Sequence, residues 1–383
     1  MPEGHVIHRL AREFERSVLG ETVTASSPQG RFAQGAALLD GLVLRDAQAH
    51  GKHLFLGFGD PADGTVGDPT DDPVRHWLRV HLGLYGSWTF ERAPGSTGPH
   101  AIGAPRLPVG ARPGTYAGPS DGVEPGADDG IPALHTSDGV RVRVGEAEDI
   151  VGRDDATATP TLDGARGGHY PGLAWQPLPP RPTVRLRLVT EDLCADLTGP
   201  AACEVITADE KAAVEARLGP DPLRPDHEAD GERQFLAALA SRRKNIAELL
   251  MDQSIIAGVG NIYRAEVLFR QRLAPTTPGA EVSTRKARAM WRDLVMLLRD
   301  GFDHGRIVTT EPEDRPHGAD IGPISRAAER ADPREADQRW YVYHRTGRPC
   351  LRCGAIVREE TLAGRRLFWC PRCQRPQRPR GTS

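Results

Sequence analysis

The sequence predicts an α+β fold in which a strand-rich N-terminal half precedes a helical half and a small cysteine module. Three observations support this prediction. Apolar and polar residues alternate with period two in several early segments, as they do in half-buried strands. From residue 232 to residue 302, apolar residues recur every three to four positions, as on amphipathic helices. Four of the six cysteines then stand close together near the C-terminus.

The composition is that of a globular chain. Its 383 residues allow two or three domains, and 38% of them are hydrophobic while 26% are charged. Because no run of 18 apolar residues and no leader segment occurs, we expect no membrane span and a cytoplasmic location. The net charge of −3 argues against a nucleic-acid partner. Residues 341–383, however, carry ten arginines and only two glutamates, and such a basic end can bind phosphate.

The first element is an amphipathic helix that begins almost at the N-terminus. Its apolar residues fall on one face and are Val6, Ile7, Leu10, Phe14 and Val18. Gly20 is the expected C-terminal stop. The simplest interpretation makes Pro2 the first helical residue and Glu3 an acid in the first turn, where it complements the helix dipole.

The strands of the first half come next. "HLFLGFG" (53–59) and "HWLRVHLGLYGSWTF" (76–90) are strand-like, and the second alternates as a half-buried strand pair would. The window 92–182 holds 16 Gly and 14 Pro, which favours a loop insertion with one short strand, "GVRVRVG" (139–145). Alternation returns at 183–199. We therefore predict one β-rich domain over 1–215 that contains the insertion.

The second half is helical. "ARLGPDPLRPD" (216–226) is a predicted linker, and 306–339 is a predicted polar loop. Between them lie four segments with apolar residues at helical spacing: "ERQFLAALASRR", "RKNIAELLMDQ", "GNIYRAEVLFRQ" and "TRKARAMWRDLVMLLRDGF". The predicted helical domain is 216–339.

The cysteine module carries the most specific motif of the chain. Two Cys-x2-Cys pairs, Cys350 with Cys353 and Cys370 with Cys373, are separated by sixteen residues. Two such turns close a tetrahedral zinc site that leaves no position for water, so the one metal ion would be structural. A disulfide pair or an iron–sulfur site is the alternative. The intervening residues predict a β-hairpin around Gly364, within a zinc ribbon at 340–376 that a basic tail at 377–383 follows.

Another motif is "GVGN" between two predicted helices. Gly258 and Gly260 permit positive φ and the close approach of a backbone, and Asn261 is a candidate N-cap. The free N–H groups of a helix start can bind an anion. An ordinary helix corner with a capping asparagine is the alternative.

Two further features are ambiguous by themselves. Lys52 precedes an apolar strand, where a lone lysine is usually a solvated strand end. Leu84 and Tyr85 lie in "HLGLYG", where apolar residues usually pack in a core; at a DNA surface they would form a wedge that enters the base stack.

Taken in order, these motifs resemble the formamidopyrimidine-DNA glycosylase/endonuclease VIII family. The ordered set comprises Met-Pro-Glu-Gly at 1–4, Gly-Lys at 51–52, "LGPDPL" at 218–223, "GVGN" at 258–261 and the terminal cysteine module. "QGRFAQ" (29–34) and "LYG" are similar to the actinobacterial second endonuclease VIII group. The resemblance implies a β-sandwich-like N-terminal domain, a helix–two-turn–helix domain and a zinc ribbon. The insertion at 92–182 departs from the family pattern.

The resemblance also implies the site residues. After removal of Met1, the amine of Pro2 would be the nucleophile and Glu3 the general acid. Lys52 would support ring opening or elimination, and Arg365 would serve δ-elimination, with Arg366 one residue away. The DNA-binding residues implied or considered are Leu84, Tyr85, Asn261 and Arg243.

The implied function is a bifunctional DNA glycosylase/AP lyase of base excision repair that acts by β,δ-elimination. Oxidised-purine members have a lysine where this chain has Ala247; Arg243 and Lys244 lie just upstream and could substitute. Oxidised pyrimidines are therefore the favoured lesions, and an enzyme for oxidised purines is the first competing possibility. A non-catalytic protein that binds damaged DNA is the second, and an interaction module of a larger complex is the third. We expect damaged DNA as the partner, one structural zinc ion, a monomer, and association with the nucleoid.

Overall fold

The computed structural model describes residues 2–61, 73–104, 175–227, 230–315 and 338–376. The strand predicted at 139–145 and the basic tail at 377–383 lie outside these ranges. Only the two ends of the predicted insertion at 92–182 are described, and the first of them contributes a short strand, Ala101–Gly103.

Two antiparallel sheets share one apolar core in the N-terminal half. The first sheet has the strand order β2 (Val43–His50), β3 (His53–Gly59), β4 (His76–His81) and β9 (Ala202–Ile206). The second has the order β1 (Thr24–Ser26), β7 (Val184–Val189), β8 (Leu193–Thr198), β5 (Ser87–Arg92) and β6 (Ala101–Gly103). Leu54 of one sheet, Trp88 of the other and Phe14 of the first helix are fully buried in this core. The β-sandwich-like prediction is confirmed.

The first helix, α1 (Gly4–Val18), buries its predicted apolar face between the two sheets. Gly20 follows the helix with a φ of 81°, as its predicted stopping role requires. The interpretation of Pro2 and Glu3 as first-turn residues is wrong. Glu3 is the N-cap, its backbone is extended (φ −121°, ψ 179°), and Pro2 precedes it. The Glu3 side chain can therefore make a contact elsewhere.

The strand pair predicted within residues 76–90 is wrong in one respect. Both strands form, but β4 pairs with β3 and β9, whereas β5 pairs with β6 and β8 of the other sheet. Alternation shows that a strand has two unlike faces, but it does not select the partner strand. The segment between β4 and β5 is consequently a corner that joins the two sheets.

The predicted helical half contains helices at all four predicted segments. The helices of the chain after α1 are α2 (Ala33–Leu39), α3 (Ala208–Glu215), α4 (Gly231–Ala240), α5 (Ile246–Leu249), α6 (Asn261–Arg270) and α7 (Thr284–His304). Helix α5 has only four residues, fewer than its apolar pattern predicted. The chain leaves the helix there because Gln253 binds the backbone of the following turns, with Nε2 donating to Met251 O and Val259 O and Oε1 accepting from Gly258 N–H.

The segment predicted as a linker is packed between the two halves. Pro220, Asp221, Pro222 and Leu223 are all buried. Backbone bonds tie this segment to the loop between α5 and α6 (250–260), the two-turn loop, since Gly219 N–H donates to Gln253 O at 2.8 Å. The connection is therefore part of the interface and positions one half against the other.

The C-terminal module contains the predicted hairpin, formed by β10 (Arg358–Leu362) and β11 (Arg365–Trp369). Its two-residue turn, Ala363 and Gly364, has φ angles of 48° and 72°, which match the twist of an antiparallel pair. In the described part of the chain, no helix combines the length and apolarity needed to cross a bilayer.

Candidate active site

Glu3 lies at the junction of the two halves. Although it is far from helix α6 in the chain, its side chain caps the start of that helix. Its Oε2 accepts hydrogen bonds from the N–H groups of Gly260 (2.9 Å) and Tyr263 (3.4 Å), and Oε1 accepts one from Ile262 N–H at 2.8 Å. The N-cap of α6 is Gly260, so the prediction of Asn261 as N-cap is wrong. The predicted anion site at this helix start exists, but the anion that occupies it is the Glu3 carboxylate.

The burial of Glu3 makes its carboxylate easier to protonate than that of an exposed glutamate. Glu3 is 0% exposed. Burial raises its pKa above that of an ordinary glutamate, although the α6 N–H groups and the charge of Lys52 oppose the shift. Within the described residues, Oε1 accepts a single hydrogen bond, so it retains a lone pair for a proton. The group can therefore hold and deliver a proton beside Pro2.

Lys52 lies in the turn between β2 and β3 and is 8% exposed. The interpretation as a solvated strand end is wrong, because the turn is pressed against the two-turn loop. A Cβ on Gly51 would lie 2.9 Å from Ala257 Cβ, and the φ of Gly51 is 60°. Only glycine allows this approach, which brings the lysine charge near Glu3.

The backbones of the two halves touch at a second glycine pair. Gly4 N–H donates to Gly258 O at 2.8 Å, and a Cβ on Gly4 would lie 2.7 Å from Gly258 Cα. Gly258 has a φ of 88°, and a Cβ on Gly260 would lie 2.5 Å from Glu3 Cδ. The predicted close approach at these glycines is confirmed, and its partner is the N-terminal segment of the same chain.

Asp221 is a site residue that the sequence reasoning missed. Its side chain, 1% exposed, accepts hydrogen bonds from the N–H groups of Gly51 (2.7 Å) and Leu223 (2.9 Å) and pairs with His8 Nε2 at 2.8 Å. Burial opposes ionisation, but His8 and these N–H groups lower the pKa of Asp221 to about 2. The signal that could have found it is its place in "LGPDPL", one of the motifs that carry the family resemblance.

The hairpin places Arg365 and Arg366 on opposite faces, because successive strand residues alternate. Arg366 pairs with Glu359 and lies over the ring of Phe368, 5.0 Å from its centroid. Arg365 shares its face with Leu367, which packs in the core of the helical half. Arg365 lines the same cavity as Arg264 of α6, whereas Arg366 is not among the residues that line it.

The hairpin is attached to α6 near Glu3. Asn261 Nδ2 and Arg264 Nη2 donate to the carbonyl of Arg366 at 3.0 and 2.9 Å. Arg264 also donates to Asn261 Oδ1. Arg264 is 1% exposed; burial and the neighbouring Arg365 lower its pKa to about 10. Arg365 therefore lies close to a buried second guanidinium at the start of α6.

A cavity of about 590 Å³ opens between the two-turn loop and the tip of the hairpin. Its lining is Arg217, Leu218, Lys244, Glu248, Leu249, Met251, Asp252, Gln253, Ser254, Arg264, Leu362, Ala363 and Arg365. Four basic and two acidic residues give it a positive balance. Lys244 lines this cavity, whereas Arg243, which is exposed, does not. Ala247 is fully buried and so faces no ligand.

Leu84 and Tyr85 occupy the corner between β4 and β5. They are 41% and 79% exposed, which is unusual for large apolar side chains. The core-packing interpretation is wrong for both residues. They are free to contact a partner at this corner.

The four cysteines of the C-terminal module are brought together as predicted. Their ligand atoms all lie within 4.8 Å of one another, with Sγ–Sγ distances of 3.5 Å for Cys353–Cys370 and 3.9 Å for Cys350–Cys373. A tetrahedral zinc ion with Zn–S bonds of about 2.3 Å requires Sγ–Sγ distances of about 3.8 Å. The cluster fits zinc, and all four cysteines are free, so the disulfide alternative is wrong.

Comparison with family models agrees with this order of parts. Residues 1–106 match the formamidopyrimidine-DNA glycosylase N-terminal domain, and 218–312 match the H2TH domain of the same glycosylase. Residues 347–376 match a zinc finger found in FPG and IleRS. The prediction of one structural zinc ion is confirmed by this match and by the four-cysteine cluster.

Relatives match over the full length of the chain. Endonuclease 8 1 of Mycobacterium tuberculosis is 37% identical over 374 residues, which are 98% of this chain and 100% of the relative. The formamidopyrimidine-DNA glycosylase of Thermus thermophilus is 36% identical over 41% of this chain and 54% of its own. The fold is similar to that of the Lactococcus lactis Fpg solved with abasic-site DNA, at a TM-score of 0.57 and 18% identity, covering 98% of this chain and 100% of that one.

The fold and the site together define a zinc-containing DNA repair enzyme of the helix–two-turn–helix class. Because it matches the mycobacterial endonuclease from end to end, the chain belongs to the formamidopyrimidine-DNA glycosylase/endonuclease VIII family. The family prediction is confirmed. The finer resemblance to a second actinobacterial group stays a prediction.

Proposed function

We propose that this enzyme excises oxidised pyrimidines from DNA through an imine at Pro2 and then cuts the strand by β,δ-elimination. Its general class follows from the family: it is a DNA glycosylase/AP lyase of base excision repair. The observation that carries the mechanism is the buried Glu3 carboxyl group, held next to Pro2 at the junction of the two halves.

The chemistry begins once removal of Met1 exposes the Pro2 amine. An α-amino group has a pKa of about 7.7–8.0, against about 10.4 for lysine, so more of it is neutral near pH 7. The nitrogen attacks C1′, and the bond from C1′ to the base breaks with its electron pair leaving on the base. The sugar ring then opens as Glu3 protonates O4′ and the amine loses its proton, which leaves an iminium ion.

The iminium ion is the electron sink for both eliminations. Loss of a C2′ proton and cleavage of the C3′–O bond release the 3′ phosphate. Loss of a C4′ proton and cleavage of the C5′–O bond release the 5′ phosphate, and water then frees Pro2. We assign Lys52 to ring opening or the first elimination, and Arg365 to the second, because Arg365 lines the basic cavity beside Arg264.

DNA would bind along the junction of the two halves. Asn261 would hold a phosphate beside the lesion, and its anchoring on the carbonyl of Arg366 keeps it at the start of α6. Leu84 and Tyr85 would fill the gap left by the flipped nucleotide, which their exposure supports. Lys244 in the basic cavity is better placed than Arg243 to bind backbone phosphate.

The lesion preference rests on Ala247. Oxidised-purine members of the family have a lysine at this position, whereas here the side chain is apolar and fully buried. The name Endonuclease 8 1 of the full-length relatives also supports pyrimidines. An oxidised-purine specificity stays the alternative, with Lys244 as the substitute cation.

A non-catalytic protein that binds lesions or abasic sites is the second alternative. The complete set of Pro2, Glu3, Lys52 and Arg365 argues against it. We further propose a monomer associated with the nucleoid. We also propose a division into 1–215, 216–339 and 340–376 with a tail at 377–383.

The decisive experiment is borohydride trapping on a duplex that contains one abasic site. The wild-type protein should give a covalent band that maps to residue 2. Glu3→Gln should lower the trapping rate by about 10²-fold, and Pro2→Gly should change its rate while the adduct still maps to residue 2. Glu15→Gln, an exposed substitution on the same helix, is the matched control and should match wild type. DNA binding without any band, after Met1 removal is verified, would exclude the lyase mechanism and support the binding protein.

A further inference from the structure

The side chain of Glu266, in the middle of α6, lies against the segment that leads into the zinc ribbon. Glu266 is 0% exposed. Its Oε2 accepts from Tyr341 N–H at 2.7 Å and from the Thr309 hydroxyl at 2.5 Å. Its Oε1 accepts from Val342 N–H at 2.9 Å and from Tyr343 N–H at 2.8 Å. One buried carboxylate thus gathers three consecutive backbone N–H groups and a hydroxyl.

This segment supports the hairpin strand that carries Arg365. The ring of Tyr343 meets that of Phe368 on β11 edge to face, with centroids 5.2 Å apart. Tyr341 in turn stacks on Phe269 of α6 at 4.6 Å. The hydrogen bonds to Glu266 therefore set the position of residues 341–343, which support β11.

We propose that Glu266 is a positioning residue that holds β11 at the distance from α6 at which Arg365 reaches the reacting sugar. This inference rests on the proposed function, because it assigns Glu266 to the second elimination and not to imine formation. Pro2 and Glu3 are held by α1 and by the start of α6, none of which depends on residues 341–343.

Displacement of residues 341–343, which support β11, would slow the δ-elimination more than imine formation. A misplacement of about 1 Å can cost about 10² in the rate of a positioned reaction. The hairpin would still be attached through the Arg366 carbonyl, so it would tilt and not detach. We therefore expect the δ-elimination to slow while imine formation continues.

The test uses the full-length zinc-loaded enzyme in single turnover on an abasic-site duplex. Gels separate the β-product from the β,δ-product, and borohydride trapping and zinc content are measured in parallel. In Glu266→Gln, the amide replaces one acceptor oxygen by an N–H₂ donor that faces other donors. We expect zinc and trapping within about twofold of wild type and a δ-step slowed by about tenfold or more.

A milder variant and a matched control complete the design. Thr309→Val removes one of the four hydrogen bonds and should slow the δ-step by less. Glu13→Gln alters another buried carboxylate, which pairs with Arg92 and Arg16 in the N-terminal half, and should leave the product ratio unchanged.

The inference is overturned if folded Glu266→Gln and Thr309→Val keep the wild-type product ratio. It is equally overturned if zinc, trapping and δ-product fall in proportion, since that describes a merely structural role. If wild-type protein forms no imine, the proposed function itself fails, which is a different and separately visible result.

Discussion

Glu3 joins the two halves of the fold, and in the proposed mechanism it also donates a proton. It accepts hydrogen bonds from three N–H groups at the start of α6, and its carboxyl group is buried. Any variant at this position is therefore expected to affect stability and rate together.

The pH dependence of imine formation follows from the ionisation of the Pro2 amine and of the Glu3 carboxyl group. The Pro2 amine must be neutral, so the rate should fall as pH decreases. Glu3 must be protonated, so the rate should also fall as pH rises through its pKa, which burial raises above 4.5. Trapping rates between about pH 4 and pH 9 should give a bell-shaped profile. Glu3→Gln should lose the alkaline limb, and a limb that persists would assign it to another group.

The choice between the two hairpin arginines is testable with paired variants. Arg365→Ala should lower formation of the δ-product by about 10²-fold and leave trapping near wild type, because Arg365 lines the basic cavity beside Arg264. Arg366→Ala should leave the product ratio unchanged, since its guanidinium pairs with Glu359. A reversed pattern would move the role to Arg366.

At the scale of elements, the short segment before α4 (216–226) connects the N-terminal half to the helical half. Asp221 joins α1 through His8 to the β2–β3 turn through Gly51 N–H. A buried acceptor of this kind is costly to remove, because the N–H groups that it served are left without a partner.

Asp221→Asn should accordingly lower the free energy of unfolding at neutral pH by about 2 kcal/mol. The folded pKa of Asp221 is about 2 against an ordinary value of 3.8. Because the folded pKa is depressed, this stabilisation is present above about pH 4 and is lost as pH falls toward 2. Urea unfolding at several pH values measures both effects.

Asp226→Asn is the control for this prediction. Asp226 pairs with Arg224 in the same segment, but its side chain is 57% exposed. We expect a change within about 0.5 kcal/mol. Equal losses of unfolding free energy in the two variants would contradict the conclusion that Asp221 joins the two halves.

At the scale of the whole molecule, helix α6 joins the three parts of the chain. The N-terminal half contacts its start through Glu3, and the hairpin is held through Asn261 and Arg264. Gln374, next to the last cysteine, donates to Leu273 O just beyond α6. Through these contacts the zinc ribbon is attached to the helix whose start forms the candidate active site.

Removal of zinc should therefore impair strand cleavage by β,δ-elimination. Cys353→Ser should lose the metal and slow formation of the δ-product by about tenfold or more. Elemental analysis and gel assays measure the two effects, with about one zinc per wild-type chain expected. Cys203→Ser, at a buried cysteine of the N-terminal core, should retain the zinc. Full cleavage by a zinc-free protein would contradict the coupling.

The successes and errors of the sequence predictions have physical causes. Local patterns located α1, whose apolar residues fall on one face, and the strand β3, which is a short run buried along its whole length. Three predictions were wrong: the exposure of Lys52, the partner strands of β4 and the N-cap of α6. Each of these features depends on a segment far away in the chain. Domain boundaries and residue roles stay predictions.

By itself, the sequence determined the zinc ligand set, since the spacing of the four cysteines specifies it, and it predicted Pro2 and Glu3 as the start of the proposed chemistry. Only the tertiary structure decided that Glu3 caps α6, that Arg365 and not Arg366 lines the basic cavity, and that Asp221 and Glu266 bond to segments far away in the chain. Glu3 and Gly260 are 257 residues apart in the chain. Contacts over such distances arise from packing of the whole chain, and no local pattern of residues records them.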